Sequence, residues 1–143
     1  MSSRAQPASL AGIFAALADP TRLRLLNLMA GREVCVCYFI QVLRQSQPKI
    51  SRHLAYLRRA GVVAVRREGK WMHYRIREPE DAAVKAILSA TLSALASSSQ
   101  MQADRVRFER VCGPRQSLVL PQGAPLPLRL APLKRPAEEG SGA

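Results

Sequence analysis

Three residues of this 143-residue chain are of a type that can do chemistry beyond packing: Cys35, Cys37 and Cys112. Two stand one residue apart in GREVCVCYFI, residues 31–40, and the third lies far downstream. Three cysteines, an odd number, cannot all be paired in a disulfide framework. In a reducing compartment each is either a small buried hydrophobe or a thiol with chemistry to do. Thiolates are soft ligands and take soft, thiophilic ions. A helix N-terminus beside them favours thiolate over thiol and raises reactivity near neutral pH.

The elements that must position these thiols follow from periodicity. Leu10, Ile13, Phe14 and Leu17 recur at helical spacing, predicting an amphipathic helix over residues 8–18. Asp19-Pro20 is a cap followed by a proline at the first helical position. It starts a second helix carrying Leu23, Leu26, Leu28 and Met29 that stops at Gly31. Arg22 and Arg24 read as surface charges within reach of a phosphate. A short third helix is expected from about Cys35 to Gln45 on a stripe of Val36, Phe39, Ile40 and Leu43. Ser46 caps a fourth, with Pro48 in its first turn, Ile50, Leu54 and Leu57 inward, and Gly61 at its end. Two helices joined by so short a turn make a helix-turn-helix.

After Gly61 the period becomes alternating: Val63 and Val65, a turn at REGK, then Met72, Tyr74 and Ile76. This predicts a β-hairpin wing, with Trp71 and His73 on the face opposite Met72, toward the recognition helix or a DNA backbone. Pro79 is expected to open a long helix with Val84, Ile87, Leu88, Leu92 and Leu95 on one side. That apolar side, unpartnered in so small a domain, reads as a dimer surface shared with the first helix. The fold class is mainly α with a small β-hairpin wing, a winged helix-turn-helix, in a homodimer. Residues 1–97 form the DNA-binding and dimerisation domain, and 98–112 a C-terminal segment carrying Cys112. Residues 113–143, with six prolines, read as a disordered tail.

Charge points to the partner. Twenty-two basic residues against ten acidic give +12, and between Arg44 and Arg75 nine bases face one acid. Such a block is the footprint of a polyanion. Ser46, Gln47, Lys49, Ser51, Arg52 and His53 fall in the first turns of the recognition helix, the part that faces base edges. Gln47 and Arg52 can read adenine and guanine. Arg66, Arg67 and Lys70 on the wing suit phosphates or the minor groove. No carboxylate pair, nucleophile-base set or phosphate loop suggests an enzyme. No apolar run approaches a membrane span and no leader pattern is evident, so a soluble, cytoplasmic protein without a membrane partner is expected.

ALADPTRLRLLNLM, EVCVCYFIQVLRQSQPKISRHLAYLRRAGVV and RREGKWMHYRI together closely resemble the arsenic-responsive branch of the ArsR/SmtB family of metalloregulatory repressors, over residues 8–96. The resemblance implies a homodimeric winged-helix repressor that leaves its operator when a thiophilic ion binds. It carries ligand roles onto Cys35 and Cys37. The family's best-known arsenic site continues Cys-Val-Cys with Asp-Leu and then a third cysteine; here Tyr38-Phe39 and Ile40 stand in those places. Cys112 is the remaining candidate for a third sulfur.

Trivalent arsenic, which keeps a lone pair, suits a pyramidal site of three sulfurs. Zinc is disfavoured, because His53 and His73 lie in the DNA-contacting elements and no fourth cysteine exists. On an ideal helix residues i and i+2 point about 200° apart. Ligation by Cys35 and Cys37 is therefore expected to unwind the start of the third helix and so reorient the recognition helix. The expected function is an As(III)-responsive repressor needing no cofactor, with arsenite, antimonite or methylarsenite as inducer and double-stranded operator DNA as partner. Two alternatives stand beside it: a redox sensor closing a Cys37–Cys112 disulfide, and a constitutive architectural DNA binder with buried cysteines.

Overall fold

The computed structural model describes residues 7–112 and 127–129, with side chains from Leu10 onward. The elements run α1 (Pro7–Leu17), α2 (Pro20–Met29), β1 (Arg32–Cys35), α3 (Val36–Leu43), α4 (Gln47–Arg59), β2 (Val63–Glu68), β3 (Trp71–Ile76), α5 (Ala82–Ala96), α6 (Ser99–Val111) and β4 (Leu128–Arg129). Helices α3 and α4 are the helix-turn-helix, and β2 and β3 the wing.

The helix starts follow their caps. The Asp19 side chain accepts from the Arg22 amide at 3.0 Å with Pro20 behind it, and Ser46 accepts from Lys49. Gly61 and Gly69 take the positive φ needed after α4 and in the two-residue wing turn, where a side chain would be strained. Leu25, Leu26, Phe39, Val42, Ile50, Leu54 and Leu57 close one core between α2, α3 and α4.

Several findings depart from the sequence expectations. The stretch before α3 is a strand, β1, so the sheet is antiparallel in the order β2-β3-β1-β4 and not a bare hairpin. Its register sets Val34 opposite Tyr74 and Cys35 opposite His73. Helix α5 begins at Ala82, after Asp81 whose carboxylate caps the Ala83 and Val84 amides, and not at Pro79. Part of its apolar side is used inside the chain, since Val84, Leu88 and Leu95 are buried.

The segment after residue 98 is a full helix seated in the domain. Arg24 grips the buried Asp104 with two hydrogen bonds of 2.8 and 2.9 Å, Asn27 donates to the Met101 carbonyl, and Phe108 is buried 5.8 Å from the Tyr38 ring. Arg22 and Arg24 are thus committed to protein partners and are not free surface charges. In the tail, Leu128–Arg129 pairs with Arg32 and Glu33 on the outer edge of β1. The rest of the expectation for 113–143 lies outside the described residues.

Candidate thiol site and nucleic-acid interface

Cys35 ends β1 and, with extended backbone at φ −68° and ψ 141°, forms the N-cap of α3; Cys37 is the second residue of the helix. This strand-to-helix corner brings the two sulfurs to 3.4 Å, with the Cys37 thiol donating to Cys35 Sγ. The expectation that both thiols occupy one helix and diverge by half a turn is therefore overturned. The pair converges with α3 intact, because only one of the two residues is helical.

Cys35 is almost fully buried and Cys37 half-buried. The Cys37 hydrogen bond, with help from the Cys37 and Met72 amides and from His73, lowers the Cys35 pKa to about 6 against the opposing cost of burial. The same pairing, with burial, pushes Cys37 up, so the two sulfurs share one negative charge. Cys112 caps the end of α6, where burial and Glu109 raise its thiol to about 12. Burial raises the Tyr38 phenol, and the charges of Cys112, Cys37 and Cys35 raise it further. Helix α6 lies along α3, with Arg107 Nη1 donating to the Val42 carbonyl at 2.9 Å. Among the described residues no three His, Cys, Asp or Glu side chains stand close enough to enclose an ion as they are. Cys112 would have to move toward the pair to join it.

His73, expected to face the recognition helix or DNA, is instead buried beside Cys35 as its cross-strand partner. Its Nε2 lies 3.2 Å from Glu68 Oε2, in an orientation that makes no hydrogen bond. Glu33, two residues before Cys35, is a buried carboxylate that the sequence reading overlooked. Arg66 donates to it from Nε at 3.0 Å and Nη2 at 2.6 Å, while Arg66 Nη1 reaches Glu68 at 3.2 Å. Arg66, half exposed, is thereby held across the sheet.

The other candidate DNA-contacting residues are mostly exposed. Gln47, Lys49, Ser51 and Arg52 are exposed along α4, and Ser46 is occupied in part as its cap. Arg67 and Lys70 are exposed on the wing, the first bonded to the Gly69 carbonyl and the second 5.0 Å above the Trp71 ring. His53 departs from the set. It turns toward Arg22 and Asp19, and burial lowers its pKa, leaving the ring neutral at physiological pH.

Residues 19–65 match the family model described as "Bacterial regulatory protein, arsR family". Over 93 residues the chain is 44% identical to the arsenic resistance transcriptional regulator ArsR2 of Pseudomonas putida, covering 64% of this chain and 78% of that one. The chain belongs to the ArsR family.

It is also 52% identical over 65 residues to the arsenical resistance operon repressor of Escherichia coli, covering 45% of this chain and 56%, little more than half, of that relative. Among solved structures, HlyU from Vibrio cholerae superposes with a TM-score of 0.56 at 30% identity, over 63% of this chain and 95% of HlyU. The ArsR-family assignment agrees with a DNA-binding regulator built on a winged helix and not an enzyme. Both the α4 face and the β1–α3 corner fall within the matched residues; Cys112 lies beyond them.

Proposed function

We propose that this ArsR-family protein is an As(III)-responsive transcriptional repressor of the cytoplasm that binds operator DNA as a homodimer and leaves it when trivalent arsenic is bound by Cys35, Cys37 and Cys112. The observation that carries the reading is the 3.4 Å separation of the Cys35 and Cys37 sulfurs. With bonds of about 2.3 Å, the usual zinc–thiolate length, a 3.4 Å pair subtends about 95° at the ion. That suits a pyramidal, lone-pair ion better than the wider angle of a tetrahedral site.

Binding converts arsenous acid and three thiols into an arsenic trithiolate and three waters, with no change of oxidation state. The low pKa of Cys35 keeps one nucleophilic thiolate available near neutral pH. The convergent pair needs little movement, so the conformational change falls on Cys112 and α6. Drawing Cys112 inward shifts α6 along α3, and α3 is the first helix of the helix-turn-helix. Gln47, Lys49, Ser51 and Arg52 are the proposed reading face, steadied by Ser46, Arg67 and Lys70 on the backbone.

X-ray absorption of the arsenite-loaded, reduced protein tests the site. Three sulfurs per arsenic are expected, and two with one oxygen in Cys112→Ser. Three sulfurs retained in Cys112→Ser would remove Cys112 from the ligand set, and oxygen-only coordination in the wild type would refute the thiol site. Antimonite and methylarsenite compete as inducers, the second needing only two sulfurs.

A further inference from the structure

Arg22 lies on α2, away from the thiols, yet it touches three other parts of the fold. Its Nε donates to the Ala16 carbonyl at 2.8 Å and its Nη2 to the Ala15 carbonyl at 3.0 Å. These belong to the last turn of α1, where helix-end carbonyls lack the usual i+4 amide; the Ala15 carbonyl also accepts from the Ala18 amide at 3.2 Å. On its other side Nη1 stands 3.3 Å from His53 Nδ1 on the recognition helix and 4.0 Å from the Asp19 carboxylate. An arginine can only donate, so His53 Nδ1 accepts and the ring carries its proton on Nε2. The guanidinium plane covers the Tyr56 ring at 4.1 Å from its centroid. His53 and Tyr56 are one turn apart on α4, so both lie on the face that meets Arg22.

From this convergence we infer that Arg22 is a positioning residue for operator recognition. One largely buried guanidinium ties the end of α1 to the middle of the recognition helix and fixes the angle between them. The side chain is 13% exposed, too enclosed to serve as the phosphate contact its charge suggests. The work needs a planar fork that donates in several directions while stacking on a ring. A lysine ammonium supplies the charge without the plane.

Three variants of the reduced full-length protein separate this role from its competitors: Arg22→Lys, Arg22→Gln and Tyr56→Leu. Fluorescence anisotropy measures each on a duplex selected by the wild type from random sequence and on an unrelated duplex, across a salt series. Arg22→Lys should lose about tenfold or more in affinity for the selected duplex. Its affinity for the unrelated duplex and its salt slope should stay as in the wild type. Tyr56→Leu, at an exposed position, should shift the same ratio in the same direction by less, and it decides the matter if Arg22→Lys does not fold. Wild-type operator binding by Arg22→Lys, with a salt slope flattened by about one in Arg22→Gln, would make Arg22 a phosphate contact. Equal weakening on both duplexes would reduce it to a support of the fold. Either result overturns the inference.

Discussion

One negative charge shared by two sulfurs has consequences that can be titrated. Folding lowers the Cys35 pKa from the ordinary thiol range to about 6, so between those values the native chain binds fewer protons at this site than the unfolded one. Stability from Cys35 therefore rises with pH across that window and is lost as pH falls through about 6. Ultraviolet thiolate absorbance of the reduced protein should show one step near pH 6, with the remaining thiols titrating well above it. In Cys37→Ser the thiol donor is replaced by a hydroxyl with a different reach, and the Cys35 step should move upward. An unchanged step would mean that the helix amides, not Cys37, hold the thiolate. Glu33 makes a second residue-scale prediction. Glu33→Gln weakens the hold on Arg66, so binding to any duplex should tighten and the salt slope should steepen by up to about one. Anisotropy on an unrelated duplex checks it, and weaker binding would show that the pair supports the wing.

Helix α6 is anchored in part by a buried ion pair. Asp104 is buried and gripped by Arg24, so Asp104→Ala leaves the guanidinium without its partner and should cost about 3 kcal/mol in urea unfolding. A loss well below 1 kcal/mol would mean that Phe108 and Met101 dock the helix without the pair. The caps and periods of α2, α4 and the wing were legible in the sequence because Asp19-Pro20, Ser46 and Gly61 signal locally. Strand β1 was not. REVC is only four residues long, it runs into a helical stripe, and its partner β3 lies about forty residues away in the chain. The convergence of Cys35 and Cys37 was misjudged for the same reason, since it depends on where strand gives way to helix. The roles of Arg22, Arg66 and His73 were hidden because a charge that reaches across the fold looks, in sequence, like a charge that faces water. Cys112 was found as a thiol, but its helix, with Arg105, Arg107 and Arg110 interrupting the apolar residues, gave little warning that it enters the core.

For the whole molecule, the +12 charge and the open face of α4 make binding electrostatic in its magnitude. If about six phosphates are neutralised, log affinity should fall with log salt at a slope near −5. Phe14 stands exposed on α1, and Ile87 and Leu92 remain half-buried on α5, a face suited to a second copy of the chain. Sedimentation of the apo protein at micromolar concentration should show a dimer, whose two recognition helices would meet half-sites roughly 34 Å apart. A monomer there would remove the proposed symmetry of the operator. The central claim is that trivalent arsenic at the thiol corner weakens DNA binding, and its most direct test is release of operator by arsenite under reducing conditions. The wild type should leave the duplex as arsenite is titrated, while Cys35→Ser and Cys37→Ser bind the duplex as before and stay on it. An operator complex of the wild type that ignores saturating arsenite, or a Cys37→Ser complex that dissociates as readily as the wild type, would contradict the account.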